Sequence, residues 1–154
     1  MSNQIAIRPC NSDSKDRIIS ILRKIDDEVI PSISSRIDIA TYADKLLSRA
    51  VWLDAFIEHT YVGFAAVYCN DSASRTAFLS IIGVHPEFRG RSIGRTLLTN
   101  VLASAADNEM RVIELETHEN NHSAITLFEQ FGFERISQQK SGAVRMAQRL
   151  TEQS

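Results

Sequence analysis

The chain has 154 residues, of which 44% are hydrophobic and 23% charged. This is ordinary usage for a globular domain, and it excludes disorder, collagen and coiled coil for the chain as a whole. Seventeen Lys and Arg against 19 Asp and Glu give a formal net charge of -2, so no overall basic field attracts nucleic acid or an anionic membrane. We therefore predict one domain over residues 1–154 with neither of those partners. We expect it to be cytoplasmic, since its start does not resemble a signal peptide.

The first half of the chain predicts a strand, two helices and three strands. A strand at 4–9 precedes a helix at about 13–28, which Ser12 or Asp13 would cap and Pro31 would break. Asp38 would cap a second helix, with one apolar face formed by Ile39, Tyr42, Ala43, Leu46, Leu47 and Ala50. Strands follow at 51–57, 61–69 and 75–84. The last two are apolar on both faces, which predicts a central place in the sheet.

The second half predicts a helix at about 93–107, a strand at 111–117, a helix at 121–131 that ends at Gly132, and strands at 133–137 and 143–150. The fourth helix would bury Ala124, Leu127, Phe128 and Phe131. The order β-α-α-β-β-β-α-β-α-β-β predicts an α/β fold with a mixed, mostly antiparallel sheet and helices on both faces. Cys10 and Cys69 form neither a CxxC pair nor a Cys/His cluster, so no metal site is predicted.

The segment after the fourth strand carries the clearest chemical signal. The strand ends at Val84, a helix begins near Ile93, and arginines and glycines lie close together at Arg89, Gly90, Arg91, Gly94 and Arg95. Free N–H groups and the dipole at a helix start favour an anion, and glycine allows a ligand to approach the backbone. The pattern therefore indicates a pyrophosphate site, although the arginines alone would also fit a solvated turn. The P-loop and Rossmann spacings are absent.

This segment resembles motif A of the GNAT superfamily, the acyl-CoA-dependent N-acetyltransferases. The pattern Gln/Arg-x-x-Gly-x-Gly/Ala appears here as Arg89-Gly90-Arg91-Ser92-Ile93-Gly94. A second stretch resembles motif B, with Leu115-Glu116-Thr117 followed by a helix segment from Asn121 to Phe133. The close resemblance covers residues 75–135, and the element order extends it over the chain.

The resemblance implies acetyl-CoA as co-substrate and no metal. The pyrophosphate would lie on the backbone of residues 89–95, and the pantetheine would pair with the strand edge at 82–84. The implied cofactor-binding residues are Ile82, Val84, Arg89, Gly90, Arg91, Ser92, Ile93, Gly94, Arg95, Thr96, Asn121 and Phe128. Gly83 would mark a close backbone approach, and Asn121 would also cap its helix.

The resemblance also implies direct attack of an amine on the thioester, with Glu116 as the base unless it is only a surface carboxylate. His85 and His118 are weaker candidates for that role. The chain departs from the family in two places: Ser92 replaces a motif glycine, and Phe128 stands where many members have a tyrosine that protonates the thiolate. A dedicated general acid is therefore not predicted.

The predicted function is transfer of acetyl to a primary amine of a small molecule such as an amino sugar, polyamine, amino acid or amine drug. The alternatives are a protein N-terminus or lysine as acceptor, or a catalytically silent acyl-CoA sensor. Arg36, Tyr42 and Tyr68 are the candidate substrate-binding residues, although Tyr42 could simply pack and Arg36 could be solvated. A homodimer stays open.

Overall fold

The strands and helices follow one another in the predicted order. The computed structural model describes residues 4–9 and 14–150, which leaves the candidate caps Ser12 and Asp13, and also Cys10, outside the described residues. The elements are β1 (Ile5–Pro9), α1 (Ser14–Ile25), α2 (Ile39–Arg49), β2 (Val51–Ile57), β3 (Thr60–Tyr68), β4 (Thr76–Val84), α3 (Ile93–Asp107), β5 (Val112–His118), α4 (His122–Gln130), β6 (Glu134–Gln138) and β7 (Ala143–Arg149).

The strands form one sheet in the order β1-β2-β3-β4-β5-β7-β6. Only the β4–β5 pair is parallel among these strands, and the other neighbours are antiparallel. The predicted α/β class with a mixed, mostly antiparallel sheet is confirmed. The prediction that the strands now called β3 and β4 are central is also confirmed, since each has a strand on both sides.

Helices cover both faces of the sheet because its central strands are apolar on both sides. On one face α3 buries Ile93, Leu97, Leu98, Val101 and Ala105 against the sheet. On the other face α1 and α2 enclose a second core around Phe64 and Trp52, whose rings stack at 4.9 Å. The predicted cap of α2 is confirmed, as the Asp38 carboxylate accepts the N–H of Thr41 at 3.1 Å. No helix within the described ranges is both long and apolar enough to cross a membrane.

Two predicted features of the helices need correction. The helix α1 ends at Ile25 rather than near residue 28, and a short 3-10 turn, Asp26–Glu28, follows it. The Asp26 carboxylate accepts the backbone N–H of Ser34 at 2.9 Å, which draws the chain out of the helical path. In α4 only Ile125 is fully buried. The predicted face of Ala124, Leu127, Phe128 and Phe131 is half-buried, because part of it borders an open cleft.

The prediction that Gly83 allows a ligand to approach is not supported by its surroundings. A Cβ atom at this position would lie 2.9 Å from the ring of Phe64 and 3.3 Å from Ile25. The glycine is therefore required by the packing of α1 and Phe64 on the sheet.

A buried carboxylate, Asp54 on β2, ties α1 to the sheet. Its side chain is 1% exposed and accepts hydrogen bonds from Ser14 Oγ at 2.7 Å, Trp52 Nε1 at 2.8 Å and the Tyr61 hydroxyl at 2.9 Å. Such a charge is tolerated in a core only when donors surround it. Its donors come from α1, β2 and β3, so the pairing of these elements depends on it.

Candidate active site

The site is built around a gap between the two parallel strands. β4 and β5 pair only from Thr76↔Val112 to Leu79↔Leu115, and then they diverge. On the other side of β4 the register skips Ser80, which stands between the pairs Val67↔Leu79 and Ala66↔Ile81. An extra residue of this kind bends a strand and ends pairing. The bulge at Ser80 therefore lies where β4 turns away from β5.

Beyond the bulge, β4 presents a free backbone edge to this gap. His85 N–H donates to the Val62 carbonyl of β3 at 2.8 Å. Because successive residues of a strand direct their backbone groups to alternate sides, Val84 and Ile82 direct theirs toward the gap. An extended ligand lying there could pair with the N–H and C=O groups of these two residues.

The gap opens into a cleft of about 670 Å³. Its walls come from the end of α1 and the following turn, from β4, from the loop and start of α3, and from α4. Its lining includes ten of the predicted cofactor-binding residues: Ile82, Val84, Arg89, Gly90, Ser92, Ile93, Gly94, Arg95, Asn121 and Phe128. The remaining lining residues are Ile25, Glu28, Val29, Phe88, Ser123, Ala124 and Leu127. Ile25, Glu28 and Val29 lie at the end of α1 and in the turn that follows it, and no spacing in the sequence places them beside β4 and α4.

Two of the predicted cofactor residues do not line this cleft. The Arg91 guanidinium lies over the ring of Phe88, 5.2 Å from its centroid. The Thr96 hydroxyl donates to the Ser92 carbonyl at 2.9 Å, one helical turn back. The structure thus assigns both side chains local partners.

The loop before α3 turns its backbone toward the cleft by two left-handed residues. Gly90 has φ +79° and Ser92 has φ +64°. Serine in this region costs roughly 1–2 kcal/mol, which explains why a glycine is the usual residue at this motif position. The helix begins directly afterwards, so the free N–H groups of Ile93, Gly94 and Arg95 lie at the cleft.

The arginines at the cleft are engaged by other side chains. Arg89 forms a bidentate salt bridge with Glu28, which joins the end of α1 to the loop before α3. This hydrogen bond lowers the pKa of Glu28 and raises that of Arg89. Arg95 donates to the side-chain oxygen of Gln130 on α4. The charge of Arg89 is therefore balanced by Glu28, whereas the partner of Arg95 is neutral.

Two polar side chains flank the point where the strands part. Ser80 and Glu116 are the first residues beyond the last β4–β5 pair, and both lie on the sheet face that α1 and α2 cover, since Leu115 is buried on the α3 side. The Tyr42 hydroxyl of α2 is 3.0 Å from Ser80 Oγ. Burial raises the pKa of Tyr42, so its phenol stays protonated. Glu116 is exposed and has no ion pair within the described ranges.

The remaining predicted site residues have distinct surroundings. Phe128 is half-buried and lies edge-on to Phe133, with 5.7 Å between the ring centroids. Tyr68 ends β3 on the α2 side, where burial raises its pKa. Arg36 is exposed before α2, and its charge acts on Tyr42.

The two candidate histidines hold turns. His85 Nδ1 accepts the N–H of Glu87 at 3.1 Å, and its Nε2 is 3.0 Å from Lys24 Nζ. His118 Nδ1 accepts the N–H of Asn120 at 3.1 Å, and its Nε2 is 3.1 Å from the Ser141 carbonyl. Both rings therefore have their nitrogens occupied by partners within the protein. Among the described residues, no three His, Cys, Asp or Glu side chains cluster as metal ligands would.

Comparison with known proteins gives the family of this fold. The model of the acetyltransferase (GNAT) family matches residues 16–133. The chain therefore belongs to the GNAT family of acetyltransferases, which confirms the predicted family and enzyme class.

Individual relatives agree with this assignment. The chain is 40% identical to N-alpha-acetyltransferase RimI of Mycobacterium tuberculosis over 55 residues, which is 36% of this chain and 33% of the relative. The matched regions span less than half the length of such curated relatives.

Two solved structures have the same fold. The ribosomal-protein-S18-alanine N-acetyltransferase from Escherichia coli superposes with a TM-score of 0.78 at 18% identity, over 98% of this chain and 97% of that one. The PaiA N-acetyltransferase from Thermoplasma acidophilum, in complex with coenzyme A, has a TM-score of 0.77 at 18% identity, over 95% of this chain and 99% of that one.

Proposed function

We propose that this protein is an acetyl-CoA-dependent N-acetyltransferase whose acceptor is the α-amine of a protein N-terminus. The observation that carries the proposal is the free edge of β4 at Ile82 and Val84, which leads directly to the left-handed loop and the start of α3. A pantetheine arm requires backbone groups to pair with, and a pyrophosphate requires free N–H groups. The cleft offers both in the order in which coenzyme A presents them.

Acetyl-CoA would supply the activated acetyl group, and this chain's own residues fit it. The N–H groups of residues 93–95 would hold the pyrophosphate, with Arg95 as a nearby positive charge and Arg89 as one that Glu28 balances. Ile82 and Val84 would pair with the pantetheine, and Asn121 and Phe128 would contact it from α4. A structure of similar fold described as a complex with coenzyme A supports this assignment.

The reaction needs a neutral amine, a place for the developing oxyanion and a leaving group. Glu116, at the point where the strands part, would take the proton of the amine directly or through water. A backbone N–H on the free edge of β4 would stabilise the oxyanion. A thiol with an ordinary pKa of about 8.5 can leave as thiolate without a dedicated acid, which is consistent with Phe128 in place of a tyrosine.

Basicity supports an α-amine as acceptor. An α-amino group has an ordinary pKa of about 7.7–8.0, against about 10.4 for lysine, so an appreciable fraction is already neutral near pH 7. An exposed carboxylate such as Glu116 is therefore an adequate base for it. The names of the M. tuberculosis relative and the E. coli structure point to the same acceptor class. They favour the alternative acceptor, a protein N-terminus, over the predicted small molecule.

The acceptor would reach the thioester from the side of α1 and α2, where the gap is flanked by the hydroxyls of Tyr42 and Ser80. Tyr68 and Arg36 stand farther along the same face and could contact residues that follow the N-terminal one. Their roles, the cytoplasmic location and the single domain over residues 1–154 stay predictions. A homodimer likewise stays open.

An acceptor panel tests the proposal. The purified protein is given acetyl-CoA with peptides bearing free α-amines, with N-blocked peptides containing lysine, and with polyamines and amino sugars, and thiol release is measured. We expect thiol release with the free α-amine peptides, and a turnover number about 10²-fold lower for Glu116→Gln. Glu134→Gln, on an exposed strand of the same sheet, is the matched control and should keep wild-type turnover.

Each of the other possible outcomes contradicts one part of the proposal. Turnover with small amines alone overturns the acceptor class. Coenzyme A binding without turnover on any acceptor indicates the silent sensor. Normal turnover of Glu116→Gln removes that residue from the mechanism.

A further inference from the structure

An arginine beside Glu116 is held away from it. In the antiparallel β5–β7 pair, Glu116 and Arg145 are direct cross-strand neighbours, so their side chains leave the sheet on the same face. The guanidinium nevertheless contacts a different carboxylate, with Arg145 Nη1 3.0 Å from Glu114 Oε1. This contact is diagonal across the strands.

A second contact supports that orientation. The Arg145 guanidinium lies over the ring of Phe78 on β4, 5.5 Å from its centroid. Phe78 is the direct partner of Glu114 in the parallel pair, so the ring and the carboxylate stand side by side. Charge attraction and a cation–π contact thus draw the guanidinium toward the paired end of β5. The open end of the gap lies in the opposite direction, at Glu116.

This arrangement matters because a carboxylate paired with a guanidinium is a poor proton acceptor. Glu114 is 26% exposed on its side chain and Arg145 is 42% exposed, so both are ordered against the sheet without being removed from water. A long cation directly opposite a base would otherwise pair with it. Glu116 can therefore accept a proton as the base only while Arg145 lies away from it.

We propose that Glu114, together with Phe78, is a positioning residue that holds Arg145 away from Glu116 and keeps that carboxylate free as the base. The inference rests on the proposed function for its catalytic consequence. The position of the Arg145 guanidinium, beside Glu114 and away from Glu116, does not depend on that function. No other described basic side chain forms an ion pair with Glu114 or Glu116.

Removal of the Glu114 charge tests the geometric part. Glu114→Gln keeps the shape of the side chain, and it leaves Glu116 as the carboxylate nearest to Arg145 on this face. In a crystal structure of this variant we expect the guanidinium within about 4 Å of the Glu116 carboxylate. If the guanidinium stays over Phe78 and away from Glu116, the inference is wrong, whatever the activity of the protein.

Kinetics test the catalytic part. With a free α-amine peptide and saturating acetyl-CoA, Glu114→Gln should lower the turnover number by about tenfold, as expected when a general base is partly engaged. The KM for acetyl-CoA should not change. The double variant Glu114→Gln/Arg145→Gln removes the competing cation and should restore turnover to within about twofold of wild type. Melting temperatures establish that each variant is folded.

Rescue separates this role from a structural one. If Glu114 only supported the sheet, removal of Arg145 as well would deepen the loss. A loss that persists in the double variant, or wild-type turnover of Glu114→Gln, overturns the inference. If the wild-type protein acetylates no acceptor, the proposed function fails, and the crystal structure of Glu114→Gln still decides where Arg145 goes.

Discussion

Gly94 offers a direct test of where the pyrophosphate binds. It is the second residue of α3 and lines the cleft. A Cβ atom added there would meet only Leu127 Cδ2, at 3.7 Å, which is ordinary van der Waals contact. An alanine side chain at this position therefore does not clash within the protein. A side chain larger than alanine would hinder a ligand that lies over the start of the helix.

The magnitude follows from this geometry. Alanine should fit, and as a better helix former than glycine it should stabilise the fold by up to about 1 kcal/mol, or about 2–4 °C in Tm. Valine adds two methyl groups over the free N–H groups. We expect it to weaken coenzyme A binding at least about tenfold, or roughly 1.4 kcal/mol.

Isothermal titration with coenzyme A measures the affinity, and thermal unfolding shows that each variant is folded. Thr99→Val, on the exposed side of the same helix, introduces the same side chain away from the cleft and should bind coenzyme A like wild type. A folded Gly94→Val protein with unchanged affinity would refute the placement of the pyrophosphate on this turn.

Substitutions at three further positions give separate expectations. Phe128→Tyr should keep the free energy of unfolding within about 1 kcal/mol of wild type and hold or raise turnover, because the ring borders the cleft. A loss of about 1–3 kcal/mol in unfolding free energy with no gain in rate would mean that the new hydroxyl is buried in the core without a partner. Asp54→Ala removes the acceptor of three hydrogen bonds and the anion 3.9 Å from Arg17, and it should cost about 3–5 kcal/mol in unfolding free energy. Asp54→Asn keeps one oxygen and should cost less; equal melting temperatures for the two variants would contradict this account. Glu28→Gln should lower stability by at most about 1 kcal/mol at pH 7, because the pair is half-exposed. Because Arg89 lowers the pKa of Glu28, the extra stability of the wild type over this variant is present at pH values above the ordinary pKa of a glutamate and is lost as the pH falls through the lowered pKa. A difference in Tm between the two proteins that persists at about pH 2 would show another cause.

Local patterns in the sequence were sufficient for most of the elements. The apolar spacing and the Asp38 cap determine α2, and the doubly apolar strands determine which strands are central, because these features depend on neighbours in the chain. The end of α1 was not predictable in this way. It depends on the bond between Asp26 and Ser34, which lie in different turns of a polar loop.

The candidate site was likewise predictable from local patterns only in part. The motif around Gly90 and Gly94 predicts an anion site because a strand end, glycines and a helix start are all local features. The gap itself is a property of strand register, since it opens where Leu79 and Leu115 form the last pair of β4 with β5. Two strands that are distant in sequence must be placed side by side before that pair exists.

The sequence by itself therefore determined the family, the element order and the expected ligand chemistry of one loop, all from residues within a few positions of one another. The tertiary structure decided which side chains share the site. Glu28 forms a salt bridge with Arg89, 61 positions away in the chain. Arg145 forms a salt bridge with Glu114 and not with its direct cross-strand neighbour Glu116. Pairings of this kind depend on distances in space between groups far apart in the chain, and no local pattern encodes them.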